Sequence, residues 1–258
     1  MDQVFARVAE KCRKADFLEA VREKAHYSEE DRELFWDVAE RILGCMESGA
    51  QVSARDLHDE HGAAYAQEVV MTLGVGVDDL QEDFLQKGQI TEAYMVEVLG
   101  SEILLQAYSV YNAWVKEQGE YAVKRYHFLG TDVNFVREKN KKDEKDSAMV
   151  NISAEAEKDS VAEEIHEDGI SLRLEVLPEL LERSGLPVTC TEGYCMVPKK
   201  SVAFYAELTK EKTITCEGIC MGCGRVDCPN RMASSADPKG NRMLDRPLTY
   251  GYARILGL

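Results

Sequence analysis

No apolar run in the chain approaches the roughly 18 residues that a membrane-spanning helix needs. The opening Met1-Asp2-Gln3-Val4-Phe5-Ala6-Arg7 lacks the basic region and apolar block of a secretory signal. The expectation from both absences is a cytoplasmic protein that does not engage a membrane. Positive charge is also scarce: Lys and Arg number 31 against 47 Asp and Glu, a formal net charge of −16. A field of that sign repels phosphate backbones and anionic lipid, which argues against nucleic acid or a membrane surface as a partner. A His-Glu-x-x-His helix, a nucleophile elbow and a P-loop are missing too, so the chain does not read as a hydrolase. What is present is a globular balance, 45% hydrophobic and 30% charged over 258 residues. That length suits one large domain or two small ones with a real core.

The first 46 residues read as two helices: Val4, Phe5, Val8 and Cys12 recur at helical spacing, and Phe35, Trp36, Val38, Ala39, Ile42 and Leu43 form a second apolar stripe, broken by Gly44 to Ala50. The segment His58 to Gln67 is expected to be helical, followed by a buried strand at Val69-Val70-Met71-Thr72-Leu73 that Gly74-Val75-Gly76 ends. A helix is expected over Asp78 to Leu85, and the longest one over Thr91 to Gln118, with Gly100 marking close packing inside it. Strands are expected at Val123 to Phe128, Val188 to Met196 and Ser201 to Leu208, and a helical pattern over Ser171 to Glu182. Residues 137–169 change character: Arg137 to Asp146 is nearly all charged and Glu155 to Asp168 is acidic, and the stretch reads as a solvated insertion, with a docking surface for a basic partner as the alternative. The division that follows is a helical segment 1–60, a domain 61–208 that carries the insertion, and a cysteine-rich segment 209–258.

Four of the eight cysteines crowd into Cys216-x3-Cys220-x2-Cys223-x4-Cys228-Pro229. In a reducing compartment such a group reads as metal ligands before disulfides. Each thiolate loses its proton to a cation, and Gly218, Gly222 and Gly224 allow a short loop to wrap one centre. Structural zinc joins two short knuckles through a longer connection. Here the middle gap is two residues, and compact iron–sulfur runs also end in Cys-Pro, which favours a 4Fe-4S cluster with zinc as the alternative. The first three cysteines also match the radical S-adenosylmethionine signature, but only 42 residues follow Cys216, too few for the barrel that motif opens. Cys190 and Cys195 read as core residues, with a further ligand or redox pair as the alternative.

Other candidate sites are weaker. Gly74-Val75-Gly76 reads as a tight turn rather than a phosphate loop. His127, beside Arg125 and Tyr126, could bind an anionic ligand or serve as a hydrogen-bonded packing residue. Lys199 and Lys200 form a small basic spot on an acidic chain. The tail Arg246-Pro247-Leu248-Thr249-Tyr250-Gly251-Tyr252 is aromatic and basic.

The stretch Glu179-Leu180-Leu181-Glu182-Arg183-Ser184-Gly185-Leu186-Pro187-Val188-Thr189-Cys190-Thr191-Glu192-Gly193-Tyr194-Cys195-Met196-Val197-Pro198-Lys199-Lys200-Ser201-Val202 resembles the reactivation domain of cobalamin-dependent methionine synthase. In that family a short helix leads to a Leu-Thr-Glu strand and a Met-x-Pro-x-x-Ser-Val segment. Thr191, Glu192, Met196, Pro198, Ser201 and Val202 occupy the matching positions. Val70-Met71-Thr72-Leu73-Gly74 and the helix from Thr91 resemble stand-alone relatives, so the likeness spans about residues 65–205 outside the insertion.

The resemblance implies an α+β fold: N-terminal helices, then a twisted antiparallel sheet flanked by helices, to which this chain adds a C-terminal metal-binding loop. It also implies a task, returning cob(II) in a corrinoid methyltransferase to the methylated state, with a reductase as electron source and S-adenosylmethionine as methyl donor. Two departures stand out. The interval where the family carries Arg-Pro-Ala-x-Gly-Tyr holds Arg125-Tyr126-His127-Phe128-Leu129-Gly130, and the similar Arg246-Pro247…Gly251-Tyr252 lies out of order with one extra residue. The family domain also has no cysteine cluster; a low-potential cluster would be a one-electron donor. The expected site is therefore Cys216, Cys220, Cys223 and Cys228 for the metal, and Arg125, Tyr126, His127, Thr191, Glu192 and Ser201 for the cofactor. The expected partner is a corrinoid-binding protein or methionine synthase cobalamin domain. Two competing readings remain open: an adaptor holding structural zinc, and a corrinoid methyltransferase subunit with its own turnover.

Overall fold

The structure, a computed structural model, describes residues 3–59, 61–130, 134–135, 170–211 and 213. The charged stretch 137–169 and the four-cysteine strip lie outside these residues. Three helices come first: α1 (Gln3–Cys12), α2 (Ala15–Lys24) and α3 (Arg32–Gly49). The expected single helix before Phe35 is two, because Lys14 takes an extended conformation (φ −71°, ψ 135°) and turns the chain between α1 and α2. Gly44 does not stop α3. It sits on the exposed side of the helix, and the apolar stripe Phe35, Val38, Ala39, Ile42, Leu43 and Met46 runs past it.

Two strands follow, β1 (Gln51–His58) and β2 (Ala64–Thr72), paired antiparallel. The helix expected over His58 to Gln67 is instead the turn of this hairpin and the start of β2. Asp59 builds the turn: its Oδ1 accepts the backbone N–H groups of His61 and Ala63, each at 2.9 Å, and Gly62 supplies the positive φ of 76°. Next come α4 (Val75–Gln86), the 28-residue α5 (Ile90–Glu117) and β3 (Ala122–Phe128). Two short pairs, β4 (Asn134–Phe135) with β5 (Ile170–Ser171), and β6 (Thr189–Cys190) with β7 (Met196–Val197), bracket α6 (Leu177–Ser184). The expected strand over Val188 to Met196 is thus a small ribbon, and the expected helix from Ser171 starts only at Leu177, behind a 3-10 turn. The last strand is β8 (Ser201–Thr209).

The main sheet has the order β1-β2-β8-β3, all antiparallel. The fold is α+β. One face of the sheet carries Val69, Met71, Val123, Tyr126, Phe204, Ala206 and Leu208 against α1, α3, α4 and α5. The other carries Leu57, Ala66, Val70, Ala203 and Tyr205 against α6, Ile170, Leu172 and Val188. Strands β2 and β8, buried on both faces, therefore read as near-continuous apolar runs. The helix-facing core draws on side chains from Val4 to Leu208.

Two glycines fix how α5 and α4 meet the sheet. A Cβ on Gly74 (φ 87°) would lie 2.6 Å from the backbone of Gly49, so α3 and the start of α4 touch main chain to main chain. The stem of Lys200 lies across Gly100 on α5, where a Cβ would come within 3.1 Å of it.

Candidate functional site

Antiparallel register places directly opposed residues on one face of a sheet. Here it aligns Arg55 on β1, Glu68 on β2, Tyr205 on β8 and His127 on β3 in a single row across all four strands. The row lies on the face beneath α6. Glu68 is 7% exposed, and a buried carboxylate must be compensated. It accepts Nε of Arg55 at 2.7 Å and Nη2 of Arg183, from α6, at 2.8 Å. Arg183 also reaches Glu179, 3.6 Å away. Tyr205 follows Glu68 in the row. Burial, with the Glu68 charge adding to it, pushes its phenol up to about 12, so it keeps its proton at neutral pH.

The neighbouring row runs Leu57, Ala66, Glu207 and ends on Arg125 at the β3 edge. A register skip between Val123 and Arg125 brings Lys124 to the same carboxylate that His127 meets. Lys124 Nζ lies 2.7 Å from Glu207 Oε1, and His127 Nε2 lies 3.1 Å from Oε2. Burial raises the Glu207 carboxyl, but the hydrogen bonds from His127 and Lys124 outweigh it and hold the group below its ordinary value. The result is a polar strip with two fixed carboxylates, three guanidinium groups and a protonated phenol. Such a strip presents fixed charges and hydrogen-bond donors along one face of the sheet.

The expected residues fall in three places. Arg125 and His127 belong to this strip. Tyr126, between them, faces the helices: it is fully buried, and its hydroxyl donates to Asn112 Oδ1 and to the Tyr108 carbonyl oxygen at 3.3 Å. Ser201 opens β8 and donates to Thr72 Oγ1 at 2.8 Å, four residues from Tyr205. Thr191 and Glu192 lie exposed at the tip of the β6–β7 ribbon, where Thr191 Oγ1 accepts the Cys195 N–H at 3.2 Å. Cys190 packs half-buried in the second core, and Cys195 is exposed.

No family model and no curated protein matches this chain. Among the described residues, no group of three or more His, Cys, Asp or Glu side chains could hold a metal. The strip Cys216 to Cys228 lies outside them, beginning three residues after Thr213. Nor is any helix among the described residues long and apolar enough to cross a membrane.

The basic spot at Lys199 and Lys200 is divided. Lys200 is 7% exposed and bonds Glu97 and, at 3.1 Å, Ser101, both on α5. The Lys199 N–H donates to Asp78 Oδ2 at 2.8 Å. This spot pins the β7–β8 corner to the helices. Arg55, Glu68, Arg183, Tyr205 and Glu207 escaped sequence reasoning. Their one visible signal is an acidic residue inside each of two otherwise apolar strands, Glu68 in β2 and Glu207 in β8.

Proposed function

We propose that this protein reductively reactivates a corrinoid-dependent methyltransferase of the methionine synthase type. The observation that carries the reading is the spacing of Cys216, Cys220, Cys223 and Cys228, standing directly after a segment that resembles a reactivation domain. The donor set fits the group it would hold: four thiolates within 13 residues, glycines between them and proline after the last. When bound, an iron–sulfur cluster, most simply 4Fe-4S, supplies one-electron chemistry suited to cob(II), which the partner presents. The chain's own residues would then bind and orient. The exposed ribbon tip at Thr191 and Glu192 would meet the corrinoid protein, and Arg125 and His127 would present donors from the sheet. S-adenosylmethionine would supply the methyl group and a reductase would restore the electron. The reading places the protein in the cytoplasm.

Anaerobic purification with a visible spectrum and iron, sulfide and zinc analysis tests the metal. Matched iron and sulfide with broad visible absorption supports the reading; a colourless protein with one zinc replaces it with the adaptor role. Cys223→Ser then tests the electron path. Reactivation of a cob(II) protein should be lost while the circular dichroism spectrum is kept, and full reactivation by that variant would sink the redox role.

A further inference from the structure

Four of the seven large hydrophobic side chains exposed among the described residues stand at one corner of the helical layer. Ile90 is 64% exposed, Leu85 44%, Tyr94 37% and Leu34 36%. Contacts between the helices bring them together. Arg41 of α3 meets Asp83 and Phe84 of α4, while Cys45 meets Gly76, so the two helices run in opposite directions. That carries the first turn of α3 towards the α4–α5 corner. Tyr27 bridges the remaining gap, with ring centroids 5.4 Å from Phe35 and 6.3 Å from Tyr94. The same helix turns carry acidic residues: exposed Glu33 and Asp37 flank Leu34 on α3, exposed Glu82 precedes Leu85 on α4, and half-buried Glu92, which accepts a hydrogen bond from Gln89, lies in the first turn of α5. The nearby cations are already engaged: Arg32 with Glu19 and Glu29, Arg41 and Lys87 with Asp83.

A clustered apolar surface marks an interaction site, and the sign of its rim selects the partner. We propose that the α3–α4–α5 corner docks a partner protein through a basic amphipathic helix, apolar residues inward on Ile90 and Leu85, with Lys or Arg facing the acidic rim. Charge complementarity sets the occupant. A second copy of this chain would bring the same acidic rim against itself, on a protein of net charge −16. The corner is separate from the polar row, which lies on the opposite face of the sheet.

The test titrates the full chain against a synthetic amphipathic helix of Leu and Lys, and against its Leu/Glu counterpart, by fluorescence anisotropy. The Lys peptide should bind and the Glu peptide should not. Leu85→Ser with Ile90→Ser should weaken binding about tenfold or more, with an unchanged thermal melt because both residues are exposed. Glu82→Gln with Glu92→Gln should weaken it severalfold at low salt and less at high salt. Glu10→Gln with Glu117→Gln, on α1 and the far end of α5, should change nothing. Binding within about twofold of wild type in the serine variant overturns the proposal. So does an equal loss in the distant glutamine control, which would mark unspecific charge attraction. Light scattering that shows a dimer dispersed by the serine variant would assign the corner to a second copy instead.

Discussion

The two faces of the sheet are built on opposite principles. The helix-facing side is held by aromatic packing: Phe204 is fully buried, with ring centroids 5.0 Å from Tyr108, 5.1 Å from Tyr126 and 6.0 Å from Tyr111. Polar groups there are satisfied in pairs: the Tyr111 hydroxyl donates to Gln67, and Lys24 meets Glu102 in a buried ion pair at 2.7 Å. The other side is covered mainly by the eight-residue α6 and is held as much by charge, through Arg183 on Glu68. Burial of rings is additive and tolerant of pH and salt. A charged clamp is directional, depends on both partners, and contributes little beyond its desolvation cost. The lesson is a division of labour in which one face sets stability and the other sets where a small cover sits.

Variants on each face break that comparison apart. Phe204→Ala should cost the most, about 3–5 kcal/mol by denaturant titration, since it empties the centre of the aromatic group. Glu68→Ala should cost less, about 1–3 kcal/mol, because Arg55 and Arg183 are partly exposed and can turn to water. Its signature is local: hydrogen exchange should quicken in α6 while amides of α5 keep their protection. Uniform quickening across both faces would contradict the division.

Acid sharpens the contrast. The Glu207 carboxyl is held below its ordinary value of 4.5, so the stability it adds is present above that pH and lost as the pH falls through its folded value. Glu207→Gln should therefore flatten the acid limb of a stability–pH curve. A variant curve that parallels wild type below pH 4.5 would refute this. Gly100→Ala should have the smallest effect, within about 1 kcal/mol of wild type. The helix gains about 0.5–1 kcal/mol from alanine, and displacement of the Lys200 stem takes a similar amount away.

Sequence periodicity revealed the elements whose burial it reports. α5 begins and ends within one residue of its expected bounds, and β2, β3 and β8 stand where their apolar runs lie. It missed β1 because only Leu57 of its eight residues is buried, so no alternation of apolar and polar residues survives. It also missed the break between α1 and α2, where Lys14 turns the chain without a glycine or proline. The polar row was hidden for a different reason. Its contacts join residues far apart in sequence, 115 positions for Arg183 and Glu68 and 80 for His127 and Glu207. No local pattern encodes such pairs; only the register of the sheet brings them together.

The strand order has a consequence for synthesis. β8 fills the slot between β2 and β3, yet it is the last strand of the sheet to be made. Until residues 201–209 emerge, β2 has a neighbour on one side only and β3 has none in this sheet, so the two strand edges that β8 will cover stand open on the nascent chain. The four-stranded sheet cannot assemble stepwise from the N-terminus and must close in one late event. A premature stop before Ser201 would thus yield an aggregating fragment instead of a smaller working protein, and chaperone demand during translation should fall only after β8 is complete.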